Sequence, residues 1–155
     1  MIYQDARVDI QSGDLLAWSG RSTIGRFIRS WTGSTASHVG VAWVVAGRVL
    51  VLEAREGRGV TVRPLSRALP AIWVQRDAPW PEALETLALE RLGEPYSYWD
   101  ALRAGLGLRL CSRGWQCAEY AASILDISLR SPTPAALVEA VLTQSPNAAS
   151  RRLTL

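Results

Sequence analysis

Two valine-rich runs separated by a short turn restrict the fold of this chain more than any other feature. They cover 38–45 and 48–54 and are joined around "AGR". β-Branched residues at this density, with so short a connection, predict a β-hairpin. Both alternating faces of 48–54 are largely apolar, so we expect this strand to lie inside a sheet and not at its edge.

The remaining periodicity predicts helices before and after a group of strands. Apolar spacing, prolines near helix starts and glycines after helix ends give the boundaries. Further strands are predicted at 12–18, 59–65 and 71–77, and helices at 22–33, 79–93, 97–107, 115–127 and 131–144. This order favours an α+β domain in which a small antiparallel sheet packs against helices.

Length and composition favour one folded domain. The 155 residues are 48% hydrophobic and include seven tryptophans, which excludes a disordered chain. We expect a single domain over 1–155, with its core at about 12–144 and a loose, polar C-terminal tail. All basic residues are arginine, but the net charge of +3 is too small to indicate a nucleic-acid partner.

The sequence also argues against export and against metal or disulfide chemistry. The N-terminal "MIYQDARVDIQSGD" lacks the basic and apolar regions of a signal peptide. The longest apolar stretch, 39–47, is too short for a transmembrane segment, so a cytoplasmic or virion-associated location is expected. Two cysteines and one histidine fit neither a common metal site nor a disulfide framework, and no cofactor is predicted.

Cys117 is the first candidate for chemistry. It begins the predicted helix 115–127, and Ala121, Ile124 and Leu125 follow at core-facing spacings. The partial positive charge and free N–H groups of a helix N-terminus favour a thiolate. The alternative is a small buried cysteine that only fills the helix face.

His38 and Glu53 are the second and third candidates. A neutral imidazole could accept the thiol proton and later return it to a leaving group. Glu53 is on the inner strand of the same hairpin and, if buried, needs a partner. A hydrogen bond to His38 would orient the imidazole, as the third member of a triad does. The alternatives are a structural histidine at a strand start, and a glutamate paired with Arg55 or another arginine.

Taken together, five segments resemble a known family. "GDLLAWSG", "SHVGVAW", "VLEA", "LGEPYSYWD" and "WQCAEYAASIL" are similar to the NlpC-type papain-like cysteine peptidases. Because Cys117 follows His38 in the chain, the resemblance is to the circularly permuted, YiiX-like branch. It implies a papain-like fold in which Cys117 is the nucleophile, His38 the base and Glu53 the third member.

The same resemblance suggests further roles. Tyr96, in "GEPY", matches a tyrosine that lines the site, and we expect Trp115 to contribute to substrate binding. Asp14 of the "GD" pair is given a structural role. The segment "SRGWQC" departs from the family pattern just before the nucleophile, which leaves the oxyanion contacts open.

The implied activity is hydrolysis of an amide in a peptide, a cell-wall fragment or an acyl-amide, in a bacterial or phage setting. One alternative is an acyltransferase or a lipid amide or ester hydrolase on the same fold. Another is a non-catalytic phage or assembly module.

Overall fold

The computed structural model describes residues 1–19, 36–97, 114–145 and 150–155. In this part of the chain six strands form one antiparallel sheet in the order β4-β3-β2-β1-β5-β6. The strands are β1 (Leu15–Trp18), β2 (His38–Val45), β3 (Arg48–Arg55), β4 (Gly59–Pro64), β5 (Ala71–Val74) and β6 (Ser150–Leu153). The α+β class and the antiparallel sheet are as predicted.

The described residues also form four α-helices and one 3₁₀ turn. They are α1 (Tyr3–Ala6), the 3₁₀ turn Leu65–Arg67, α2 (Glu82–Glu90), α3 (Cys117–Ile124) and α4 (Pro134–Gln144). The helices predicted at 79–93, 115–127 and 131–144 are confirmed in shorter form. The helix predicted at 22–33, and nearly all of the one at 97–107, lie outside the described residues. Within those residues no helix has the length and apolar character needed to cross a bilayer.

The β2–β3 hairpin forms as its sequence predicts. Its turn residues, Ala46 and Gly47, have φ angles of 49° and 71°, and paired left-handed residues of this kind give the turn whose twist matches the strands. β3 lies between β2 and β4, so it is internal. Its residues Val51, Leu52 and Glu53 are fully buried.

Apolar layers cover both faces of the sheet. Leu15, Val39 and Leu52 point to one face, where they belong to the same core cluster as residues of α3 and α4. The opposite face carries Leu16, Val51, Trp73, Ala6 of α1, Leu65 of the 3₁₀ turn and Leu153 of β6. Since consecutive strand residues alternate between the faces, β1, β2, β3 and β5 contribute to both layers.

One hydrogen bond from α3 to α2, and one to α3 from the loop that precedes α2, fix the position of α3. The Tyr120 hydroxyl donates to the Ala88 carbonyl of α2 at 3.0 Å. The indole N–H of Trp80 donates to the Ile124 carbonyl, at the last residue of α3, at 2.6 Å. The middle and the C-terminal end of the predicted cysteine helix are therefore held by the surrounding structure, which positions Cys117 at its start.

Asp14 has the structural surroundings expected for it. Its buried carboxylate accepts hydrogen bonds from the Trp73 indole at 2.8 Å and from the Arg76 backbone N–H at 2.9 Å. It also accepts from the Gln11 backbone N–H at 2.9 Å. The neighbouring Gly13 has a φ of 91°, and a Cβ there would lie 2.6 Å from Cβ of Trp80. Asp14 therefore joins the start of β1 to β5.

The prediction of a loose C-terminal tail is wrong. Residues Ser150–Leu153 form β6, which pairs with β5, and Leu153 is fully buried. The adjacent Thr154 donates its backbone N–H to the Met1 carbonyl at 3.1 Å, so the two termini meet. Polar composition misled the prediction because an edge strand needs few apolar side chains and gains its order from backbone hydrogen bonds.

The integration of this tail can be tested with two leucines that lie two positions apart. Leu153→Ala removes a fully buried side chain and should lower the free energy of unfolding by about 2–4 kcal/mol. Leu155→Ala alters a side chain that is 87% exposed and should change the free energy of unfolding little. Urea denaturation measures both, and equal stabilities of the two variants would contradict the assignment of β6.

Candidate active site

His38 and Glu53 meet as the sequence predicts. The Nε2 atom of His38, the first residue of β2, lies 2.6 Å from Oε2 of Glu53 on β3. The Glu53 side chain is fully buried, whereas that of His38 is 24% exposed. A carboxylate at this distance receives the Nε2 proton and fixes the orientation of the ring.

Gly40 provides the space for this contact. Val41 pairs with Leu52, so the next pair along places Gly40 opposite Glu53. A Cβ at position 40 would lie 3.1 Å from Cβ of Glu53 and 2.8 Å from Cγ1 of Val51. A larger residue would therefore press on the side chain that orients His38. This gives a physical reason for the glycine in the "SHVG" segment.

Cys117 joins the pair from the other layer. It is the first residue of α3, and its sulfur lies close enough to the His38 ring for the two groups to shift each other's pKa. Backbone N–H groups of Val39 and Ala118 also point to the sulfur. Because Glu53 engages Nε2, the ring nitrogen left for the thiol is Nδ1. Cys117 is only 7% exposed and packs in the same core as Ala121 and Ile124, as its helical spacing predicts.

Charge in this group favours a thiolate–imidazolium pair. Burial opposes ionisation of Cys117, but hydrogen bonds and the charge of His38, together with two backbone N–H groups, lower the pKa of the thiol. Burial also opposes protonation of His38, yet hydrogen bonds to Cys117 and Glu53 raise the pKa of the ring to about 9. The ring is therefore positive at neutral pH, and the lowered thiol pKa favours the thiolate, the form in which cysteine is nucleophilic.

Two arginines also contact Glu53. Arg63 of β4 donates from both Nε and Nη2, the latter to Oε2 at 3.2 Å. Arg55 Nε lies 3.7 Å from Oε1. Burial raises the pKa of Glu53, but the hydrogen bonds from His38 and Arg63 outweigh it and lower the pKa overall. The two partners considered for Glu53 from sequence, His38 and Arg55, are both present.

Sequence reasoning missed Arg63. Alternation alone shows that Arg63 and Thr61 share a face of the predicted strand 59–65. The β3–β4 register then places Thr61 opposite Glu53 and Arg63 opposite Val51, one pair further along the same face. That register is set by the fold and has no signature within the strand, so the contact could not be predicted.

Trp18 also belongs to this group. It pairs with His38 across β1 and β2, and the two ring centroids are 5.4 Å apart. Its indole N–H donates to the Ala68 carbonyl at 2.6 Å. The Arg63 guanidinium carbon lies 5.6 Å from the Trp18 ring centroid. Trp18 therefore contacts both the imidazole and the arginine side chain that holds Glu53.

Tyr96 and Trp115 lie next to each other in space, and Trp115 comes just before α3 in the chain. They form an isolated parallel bridge in which Trp115 N–H donates to the Pro95 carbonyl at 2.9 Å. The Trp115 indole donates to the Glu94 carboxylate, and the Arg91 guanidinium lies 4.0 Å from the centroid of the ring. These contacts fix the chain where it enters α3. A substrate-binding role for either residue remains a prediction.

Comparison with known proteins gives a structural match without a sequence match. No family model and no curated protein matches the chain. Among solved structures, the chain is similar to the metalloprotein YiiX from Escherichia coli O157:H7. The TM-score is 0.64 at 16% sequence identity, and the match covers 91% of this chain and 96% of that one. At this identity the likeness shows the fold alone, and it supports the YiiX-like fold expected from the motifs.

The pH dependence of alkylation tests the charge state of Cys117. In a Cys111→Ser background Cys117 is the only thiol. Its reaction with iodoacetamide should persist well below pH 8.5, about the ordinary pKa of a cysteine, because the pKa of this thiol is lowered. His38→Ala removes the imidazolium and should move the rate profile to higher pH. Identical profiles with and without His38 would show that the ring does not activate the sulfur.

Proposed function

We propose that this chain is a cysteine hydrolase that cleaves an amide bond through Cys117, His38 and Glu53. The observation that carries the proposal is the position of the His38 ring, which is hydrogen-bonded to the buried Glu53 carboxylate and adjacent to the Cys117 sulfur. A nucleophile, a base and a group that orients the base are the parts that such chemistry needs. The motif resemblance and the order of His38 before Cys117 support a permuted papain-like arrangement.

The acylation step follows from the charge state of the pair. The Cys117 thiolate attacks the substrate carbonyl carbon, so that a C–S bond forms and the carbonyl electrons move to oxygen. The C–N bond then breaks, and the leaving nitrogen takes the proton of the His38 imidazolium. The products of this step are a thioester on Cys117 and a free amine, with His38 now neutral.

Deacylation uses the same ring as a base. Neutral His38 accepts a proton from water, and the oxygen of that water attacks the thioester carbonyl carbon. The C–S bond breaks and releases a carboxylic acid, which regenerates the thiolate and the imidazolium. Glu53 keeps the ring oriented in both steps, since its hydrogen bond to Nε2 leaves Nδ1 directed to the reacting atoms.

The substrate class proposed is a peptide, a cell-wall fragment or an acyl-amide, and it rests on the family resemblance. The same acyl-enzyme could pass its acyl group to an amine or alcohol acceptor, which would make the protein a transferase. A module that keeps the fold without turnover would form no acyl-enzyme.

The metal implied by the description of YiiX as a metalloprotein does not fit these residues. In the described ranges, no three His, Cys, Asp or Glu side chains are grouped so that they could hold a metal ion. The Glu53 carboxylate receives Arg63 and His38 and has Arg55 nearby, so a cation there would have to displace positive groups. No step of the proposed reaction therefore involves a metal.

Intact-mass analysis tests the acyl-enzyme directly. The protein should be incubated with muropeptides and, separately, with N-acyl amino-acid amides in ¹⁸O-water. We expect an acyl adduct on Cys117 and ¹⁸O in the released carboxylate. Cys117→Ala should abolish both signals, and Cys111→Ser should keep them. Acyl transfer to an added amine without ¹⁸O uptake would favour the transferase, and the absence of any adduct would favour the non-catalytic module.

A further inference from the structure

We propose that Arg63 is a positioning residue of this site, which holds the Glu53 carboxylate in place and balances its charge so that His38 can release its proton. The inference rests on the proposed function, because it concerns the proton that His38 transfers. It adds a fourth side chain, from a strand that carries none of the three proposed catalytic residues.

The geometry separates Arg63 from the other arginine nearby. Arg63 approaches Glu53 with two nitrogens of its guanidinium fork, which fixes the carboxylate in a plane. Arg55 reaches only one oxygen, at 3.7 Å, which is beyond hydrogen-bond distance. Arg63 is 24% exposed and lies against Trp18, whereas Arg55 is 35% exposed. Of these two arginines, only Arg63 can therefore help to fix the orientation of Glu53.

The charges around Glu53 explain why the site needs a fixed cation. The charged groups that face it in the described ranges are His38 from β2, Arg55 from β3 and Arg63 from β4. Cys117 from α3 adds a thiolate on the other side of the ring. With Arg63 present, the formal charges of the thiolate, the imidazolium, the carboxylate and the guanidinium sum to zero. Without it, two buried anions would share one imidazolium, with only the more exposed Arg55 nearby.

Loss of this balance would alter the chemistry of His38. Removing a positive charge makes proton binding more favourable at every nearby group. The imidazolium would then hold its proton more tightly and protonate the leaving nitrogen less readily. Less neutral imidazole would also be present to activate water. Arg63 therefore acts on the reaction through Glu53 and His38, without contacting the substrate.

His38 is the only histidine in the chain, so its ring signals in an NMR titration are unambiguous. Arg63→Gln should move the His38 titration, and the pH profile of Cys117 alkylation, to higher pH by about one unit. Arg63→Lys keeps the positive charge, so its titration should lie close to that of the native chain. Arg55→Gln should give a smaller shift. Arg48→Gln, an exposed arginine at the other end of β3, controls for net charge and should give none.

A double-mutant cycle tests whether Arg63 acts through Glu53. In a Glu53→Gln background, the shift caused by Arg63→Gln should fall to less than half, because the anion that it balances is gone. The double variant Glu53→Gln/Arg63→Gln carries a neutral amide at both positions. It also provides a folded comparison if Arg63→Gln alone does not fold. An equal shift in both backgrounds, or an Arg63→Gln titration that matches that of Arg48→Gln, would overturn the proposal.

These readouts need no substrate, so the two proposals can fail separately. If Cys117 alkylation is independent of His38, the proposed function fails whatever Arg63 does. If alkylation depends on His38 but the His38 titration is the same in Arg63→Gln as in the native chain, the hydrolase proposal stands and the positioning role of Arg63 is wrong.

Discussion

The buried carboxylate of Glu53 is the group on which the rest of the site depends. A carboxylate without solvent contact is stable in a protein only when cations or N–H donors compensate it. Here His38 and Arg63 supply that compensation from the two neighbouring strands, with Arg55 close by. The need to neutralise the Glu53 charge thus fixes the His38 ring that faces Cys117. It also links the stability of the inner sheet to the charge state of the Cys117 sulfur.

The fold meets this requirement through strand pairing. An antiparallel register places Gly40 opposite Glu53 and leaves room for its side chain, while His38 at the start of β2 remains partly exposed. Helix α3 packs on the opposite layer and presents Cys117 from its first turn. The three side chains thus come from elements held by independent contacts, so their mutual distances do not depend on any one loop.

Much of this arrangement could be predicted from sequence because it follows from local pattern. The periodicity of apolar residues predicts the hairpin, the inner position of β3 and the core-facing residues that follow Cys117 in its helix. The partners of Glu53 were only partly predictable, since Arg63 reaches it through a register that alternation does not specify. The C-terminal strand was missed because its order comes from backbone pairing and one buried leucine, Leu153, in a polar segment.

The most direct test of the central claim, that Cys117 and His38 form an ion pair, is an NMR titration of the His38 ring in the native chain and in Cys117→Ser. The account predicts a pKa of about 9 in the native chain. It also predicts a clear fall in the variant, because the thiolate that holds the proton on the ring is removed. A ring that titrates near the ordinary histidine value of about 6.5 in both proteins would contradict the account.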